Sequence, residues 1–316
     1  MAVNITTAYA GEVLEQLLVR ATTGNEIVAG GHIHVQPNVK KKFAIPRLKT
    51  GRMLQKRIEQ PKEANSSGDF TITEKYLEPQ DMMAFTTFNP RVFETLWRPF
   101  QPAGALVFRE LPADVQNLLL SELAKVVDFE LGDYIINCTK GAGATAFFDG
   151  ILARILADAT VVKSGMAAAY ITAANVVDVL ESVRVKIPKS IRRDPNLKLF
   201  VSVEDADFYD TALTKREYKG ANWTERNPER YKGIRIVPLV AWPKDVVVAA
   251  ATSPGIESNF WMGVDYSDDE EVVLIDKLEN AGEKYFFKML MKADTNIVFG
   301  EDVVLFDGRE PDDPGE

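Results

Sequence analysis

The stretch Lys40–Tyr76, KKKFAIPRLKTGRMLQKRIEQPKEANSSGDFTITEKY, decides the reading of this chain. Between Lys40 and Glu63 it carries nine cations (Lys40, Lys41, Lys42, Arg47, Lys49, Arg52, Lys56, Arg57, Lys62) against Glu59 and Glu63, a local charge of +7. The whole chain is −9, so the remainder holds about −16. Segregation of sign on this scale speaks of partners and not of fold. Two partners fit: nucleic acid, or the acidic body of another copy.

The shape of the stretch is as informative as its charge. Phe70, Ile72 and Tyr76 recur on one face of a return limb, with Thr71, Thr73 and Lys75 on the other. Glu59 to Asp69 is rich in turn residues and nearly free of hydrophobes. From Phe43 to Phe88 the pattern predicts a long polar hairpin with limbs of ~15 residues, an arm on the order of 50 Å. Isolated two-stranded hairpins are marginal in water, so such an arm needs a neighbour.

Outward from the arm, residues 1 to 38 hold too little apolar surface for their own core. Glu12–Arg20 can form a short helix, and His32-Ile33-His34-Val35 reads as a strand after the Gly30-Gly31 break. C-terminal to the arm, Val115, Leu118, Leu119, Leu123, Val126, Val127, Leu131, Ile135 and Cys138 keep helical spacing through some seven turns. Pro112 and Asp114 suit its start, and Lys140-Gly141 its end. Gly132 interrupts it at a cost of about 1 kcal/mol against Ala. A second helix carries Val176, Leu180 and Val183 and stops before Pro188. A strand follows at Leu197 to Val203, then an acidic helix from Glu204 to Leu213 and a polar loop from Lys215 to Tyr231. Further strands are expected at Ile234–Val240, Val246–Ala251, Val272–Ile275, Tyr285–Lys292 and Val303–Phe306, giving a mixed α+β body. The tail, Asp307 to Glu316, is acidic with two prolines and is expected to fray.

Composition narrows the function classes. At 316 residues, 46% hydrophobic and 26% charged, the chain has the make-up of a globular protein. No window holds the ~18 to 20 apolar residues of a membrane span, and the N-terminus does not read as a signal peptide. The single cysteine, Cys138, rules out an internal disulfide and reads as a core residue. Gly141-Ala142-Gly143 lacks the third glycine of a dinucleotide-binding turn and follows a helix, so it reads as a helix end. The only histidines, His32 and His34, do not complete a zinc site and read as exposed strand residues. The carboxylate clusters Asp268-Asp269-Glu270-Glu271 and Glu204-Asp205 with Asp207 read as solvated faces. No catalytic, cofactor-binding or metal site is expected, and no enzyme activity. Only Phe43 lies among the cations of the basic segment, short of the aromatic interleaving of a single-strand groove.

The order of elements resembles the major capsid proteins of tailed bacteriophages, which share the HK97 fold. Phe43-Ala44-Ile45-Pro46 and Ser67-Gly68-Asp69-Phe70 look like that family's extended loop, and Leu77-Glu78-Pro79 like its return to the body. Pro112 to Gly143 is similar to the spine helix with its glycine-rich turn, and Asp149-Gly150-Ile151-Leu152 to the stretch beyond. Val176 to Ala212 is similar to the central domain's helix, strand and helix, and Tyr231-Lys232-Gly233-Ile234-Arg235-Ile236-Val237 to its Gly-hydrophobic strand. The helical scaffolding segment that begins many relatives is not visible. Some relatives cross-link a loop lysine, for which Lys56 or Lys62 could serve.

The resemblance implies an N-terminal arm (1–39), an extended loop (40–86), a peripheral domain with the spine helix (87–160), a central α/β domain (161–283), and return strands of the peripheral domain with the acidic tail (284–316). It implies a shell subunit assembling into hexamers and pentamers around double-stranded DNA, without cofactors and with no membrane. It places the protein in the virion, after assembly in the host bacterial cytoplasm. Scaffolding, portal or decoration proteins are possible partners, and packaged DNA is touched without sequence specificity. Arg47, Lys49, Arg52, Lys56, Arg57 and Lys62 are the expected inter-subunit contacts. An encapsulin-like compartment, or a nucleic-acid-binding protein using residues 40–62, are the alternatives.

Overall fold

A computed structural model describes residues 7–8, 25–50, 53–60, 62–63, 66–68, 70–89, 113–143, 145–167, 169–215, 229–265, 273–277 and 284–309. The expected helix at Glu12–Arg20 and the tail beyond 309 lie outside them.

The central layer is a six-stranded mixed sheet buried on both faces. Its strands are β6 (Val162–Lys163), β7 (Leu197–Ser202), β8 (Arg230–Tyr231), β9 (Ile234–Leu239), β10 (Val246–Ala251) and β14 (Val304–Asp307), in the order β6-β14-β10-β7-β9-β8. Successive side chains of a strand point to opposite faces. Leu199, Val201, Ile236, Val247, Ala249 and Val304 therefore enter one core, under helices α4 (Val176–Lys186) and α5 (Val203–Thr214). Phe200, Val237, Val246, Val248 and Leu305 enter the other. With both faces covered, β10 reads VVVAAA without polar alternation. The β8–β9 turn has Lys232 and Gly233 at positive φ, the conformation of a type I′ hairpin.

The second core lies between that sheet, the long helix α2 (Ala113–Asn137), the short helix α3 (Ile151–Ala157) and a peripheral sheet. The peripheral sheet runs β1 (Thr7–Ala8), β12 (Val273–Lys277), β13 (Tyr285–Ile297), β11 (Phe260–Asp265), β2 (His34–Gln36), with β5 (Gln80–Phe88) also paired to β13. At 1.5 Å per residue the 25-residue α2 is about 38 Å long. Leu131, Ile135 and Ile136 face inward, whereas Val126, placed in the apolar stripe by spacing, is exposed. It sits about 100° around the helix from Val127, which takes the buried position.

Two glycines are explained by close approach. Gly132 does not break α2: a Cβ there would lie 3.1 Å from the Asn25 side chain, so the glycine admits the cap of helix α1 (Glu26–Ala29). At Gly150 a Cβ would meet the Ile136 carbonyl oxygen at 2.7 Å, which lets α3 start hard against the end of α2.

Several expectations are corrected. Gln80–Phe88 is not part of the hairpin but pairs antiparallel with β13 along its length. The hairpin ladder has eight residues per limb, β3 (Phe43–Thr50) and β4 (Phe70–Leu77), about 27 Å at ~3.4 Å each, half the expected reach. Phe260–Asp265 was not foreseen as a strand, and it joins the peripheral sheet. Of the last strands, β13 belongs to the peripheral sheet and β14 returns to the central one. His32 is buried and precedes the strand, contrary to an exposed strand histidine. Its edge meets Phe200, and Lys198 Nζ lies 2.9 Å from its Nδ1 while donating to the Gly31 carbonyl.

Candidate assembly arm and its root

The arm is built from its ladder outward. β3 and β4 pair only with each other, with Phe43 opposite Leu77 and Thr50 opposite Phe70. Pro46, which has no N–H, is tolerated because a two-stranded ladder consists of edges. Such a ribbon is marginal by itself, and its root is fastened to the body by a small separate core. Ile45 and Leu77 are buried with Trp261 and Val298, and Phe43 stacks on the Trp261 ring at 6.2 Å between centroids. Burying side chains of this size stabilises by ~1.5 to 3 kcal/mol each.

Polar contacts fix the direction in which the ribbon leaves. Asp294, itself buried, accepts from the Glu78 N–H at 2.7 Å and from Arg154 at 3.2 Å. Asn296 Nδ2 donates to the Tyr76 carbonyl, and Lys75 pairs with Asp158 at 2.7 Å. These groups line a polar cleft of about 510 Å³ between arm and body, with Glu78, Lys140 and Asp149. Burial pushes the Asp294 carboxyl up, against the Glu78 N–H and Arg154. Burial also acts to raise Asp158, but hydrogen bonds from Lys75 and Thr160 outweigh it and bring it to about 2. The cleft's central carboxylates are thus engaged with cations and N–H groups, the chemistry of a joint.

The six expected contact residues separate. Arg47 lies over the Phe299 ring and 3.8 Å from Glu301, so it is engaged within its own chain. Lys56, Arg57 and Lys62 are exposed toward the far end of the arm. The Lys49 side chain and Arg52 lie outside what is described. Lys42, nearer the root, pairs with Glu78 at 2.9 Å. The structure adds what charge counting passed over: Leu54 is fully exposed, with Met53 and Ile58 exposed beside it. Their signal was present, as apolar residues four apart among cations. The body side of the root (Asp158, Trp261, Asp294, Asn296) had no local signal, since its partners lie 83 to 220 residues away where hydrogen bonds record them.

Neither a protein-family model nor a curated protein sequence matches the chain. Solved structures do. The satellite phage P4 procapsid protein superposes with a TM-score of 0.56 at 12% identity, covering 93% of this chain and 98% of that one. The chain has the HK97 capsid fold. A capsid protein of an empty GTA particle gives 0.57 at 14% identity, over 88% and 95%. The SrpI encapsulin of Synechococcus elongatus PCC 7942 gives 0.54 at 10%, over 88% and 85%. The HK97 fold thus covers most of the chain, although so little sequence is shared.

Among the described residues, no helix is long and apolar enough to cross a membrane.

Proposed function

We propose that this chain is the major shell subunit of a bacteriophage or prophage head, assembling into hexamers and pentamers that enclose double-stranded DNA. The observation that carries the reading is the arm: a ribbon locked at its root and bare at its apolar tip, on a fold otherwise found in shells. The arm reaches a neighbouring copy, and Lys49, Arg52, Lys56, Arg57 and Lys62 face acidic protein there, drawing on the −16 outside residues 40–63. Each exposed pair contributes only ~0 to 1 kcal/mol, but repetition through a closed shell multiplies it. In this role residues 40–79 act as the extended loop, β5 having left it for the peripheral sheet, while residues 25–39 belong to the body, with Ile27 and Ile33 in its core. The body also comprises 87–160, 161–283 and 284–316, with β5 and β11 contributed to the peripheral sheet. The subunit's work is structural, in the virion, after assembly in the bacterial cytoplasm. Scaffolding, portal or decoration proteins are its further partners.

The encapsulin likeness, nearly as close as the phage ones, favours a second reading: a compartment around protein cargo. Electron microscopy of the purified chain, followed by nuclease treatment of its particles, tests both. Shells protecting DNA when isolated with their packaging genes support the first reading. Shells holding a co-purified enzyme and no protected DNA move it to the second, and a monomer at high concentration removes both.

A further inference from the structure

We propose that the basic turn at the C-terminal end of α4 is the surface that touches enclosed double-stranded DNA, with Lys186, Lys189 and Arg193 each neutralising a backbone phosphate. The inference rests on the shell reading and names the part of the subunit that would meet the genome.

The run Arg184-Val185-Lys186-Ile187-Pro188-Lys189-Ser190-Ile191-Arg192-Arg193 carries five cations and no acid, on a chain of net charge −9. Two of the five serve the fold. Arg184 lies 3.7 Å from Glu181, and Arg192 donates to the Val185 and Ile187 carbonyls at 3.1 and 2.8 Å, closing the end of α4. The other three are exposed and form no ion pair among the described residues. Lys186, in the last turn of α4, complements the helix dipole, but Lys189 and Arg193 lie beyond the helix. Neighbouring acids are already engaged. Glu181 accepts from the Tyr231 hydroxyl at 2.8 Å and from Lys232 at 2.6 Å, and Asp194 Oδ1 accepts from the Asn196 N–H at 2.8 Å.

The composition of this surface favours a phosphate backbone over a protein. Protein interfaces centre on an apolar core and are depleted in lysine. Here Val185, 60% exposed, is the one large exposed hydrophobic between Glu181 and Asn196. Non-specific DNA binding asks only for cations that displace the duplex's condensed counterions. An acidic chain repels a polyanion over most of its surface, so contact concentrates where the sign reverses. Of the two such places, residues 40–63 face a neighbouring copy in the shell reading, which leaves the α4 turn for DNA.

Each neutralised phosphate contributes about −0.9 to the slope of log affinity against log salt, so these three side chains account for roughly 2 to 3 of it. The test follows binding of a short random-sequence duplex by fluorescence anisotropy across a salt series, with the full chain held below the concentration at which particles form. Lys186→Gln, Lys189→Gln and Arg193→Gln combined should weaken binding at least tenfold at low salt and flatten the slope by that amount, with circular dichroism and particle yield unchanged. Lys186→Arg with Lys189→Arg should keep both affinity and slope. Lys56→Gln, Arg57→Gln and Lys62→Gln combined should also leave them in place. Undiminished binding in the α4 variant, or loss in the arm variant instead, overturns the assignment and leaves the shell reading standing. A fall in particle yield with duplex binding intact overturns it too, and makes the turn a contact between subunits. An unsubstituted chain that never forms particles overturns the shell reading, while its duplex binding still decides whether the turn holds phosphate.

Discussion

His32 sits buried against Phe200, with the Lys198 ammonium beside it and Arg235 near. Burial first, then the two cations, lowers its pKa to about 4. Burial, with Arg235, also lowers Lys198, to about 8. For a histidine whose folded pKa is depressed, the unfolded chain takes up the proton near 6.5 while the folded chain resists. Stability is therefore present above about 6.5 and is lost as pH falls toward 4. Urea midpoints measured between pH 7 and 5, above the range in which most carboxylates titrate, should fall on acidification. In His32→Gln that fall should be clearly shallower. An equal slope in both proteins would mean that another group controls it.

At the level of elements, the ribbon β3–β4 and the body are one mechanical unit only through the root. Leu77 is completely buried there, so Leu77→Ala should cost about 2 to 5 kcal/mol, the usual range for a leucine truncation that leaves a cavity. The loss should be local. Hydrogen exchange should accelerate in 43–50 and 70–77 while β10 at the centre of the other sheet keeps its protection. Lys75→Met should loosen the same limbs more mildly, by leaving Asp158 to Thr160 alone. Exchange that rises equally throughout would show that the root is not a separate cooperative unit.

For the whole molecule, the charge segregation predicts how assembly responds to salt. Raising ionic strength from 0.1 to 1 M shortens the Debye length from ~10 to ~3 Å and weakens the arm's ionic contacts. Shell yield should fall with salt but not vanish, because apolar contacts of the tip are not screened. Arg52→Glu combined with Lys56→Glu should depress yield at 0.1 M salt more than lysine-to-alanine changes outside the arm. Salt-independent yield with normal assembly of the double reversal, and loss of DNA binding instead, would return the basic segment to nucleic acid.

How much of this could be read in advance divides by the range of the interactions. Helical spacing from Val115 to Cys138 announced α2, and alternation at Leu197–Val203 announced β7, because each records one-sided or two-sided burial within a few residues. Clustered cations and turn residues likewise marked the arm, since charge and turn propensity are local properties. By itself, then, the amino-acid sequence determined most of the order of elements, strand Phe260–Asp265 excepted, the existence of the arm and its sign. Tertiary structure alone decided that Gln80–Phe88 leaves the hairpin for β13, which lies some 200 residues away, because pairing partners leave no local trace. It also decided that Gly132 admits Asn25, and that the root is closed by Trp261, Asp294 and Asn296. Those contacts join residues far apart in sequence, and only the folded chain brings them within hydrogen-bonding and van der Waals reach.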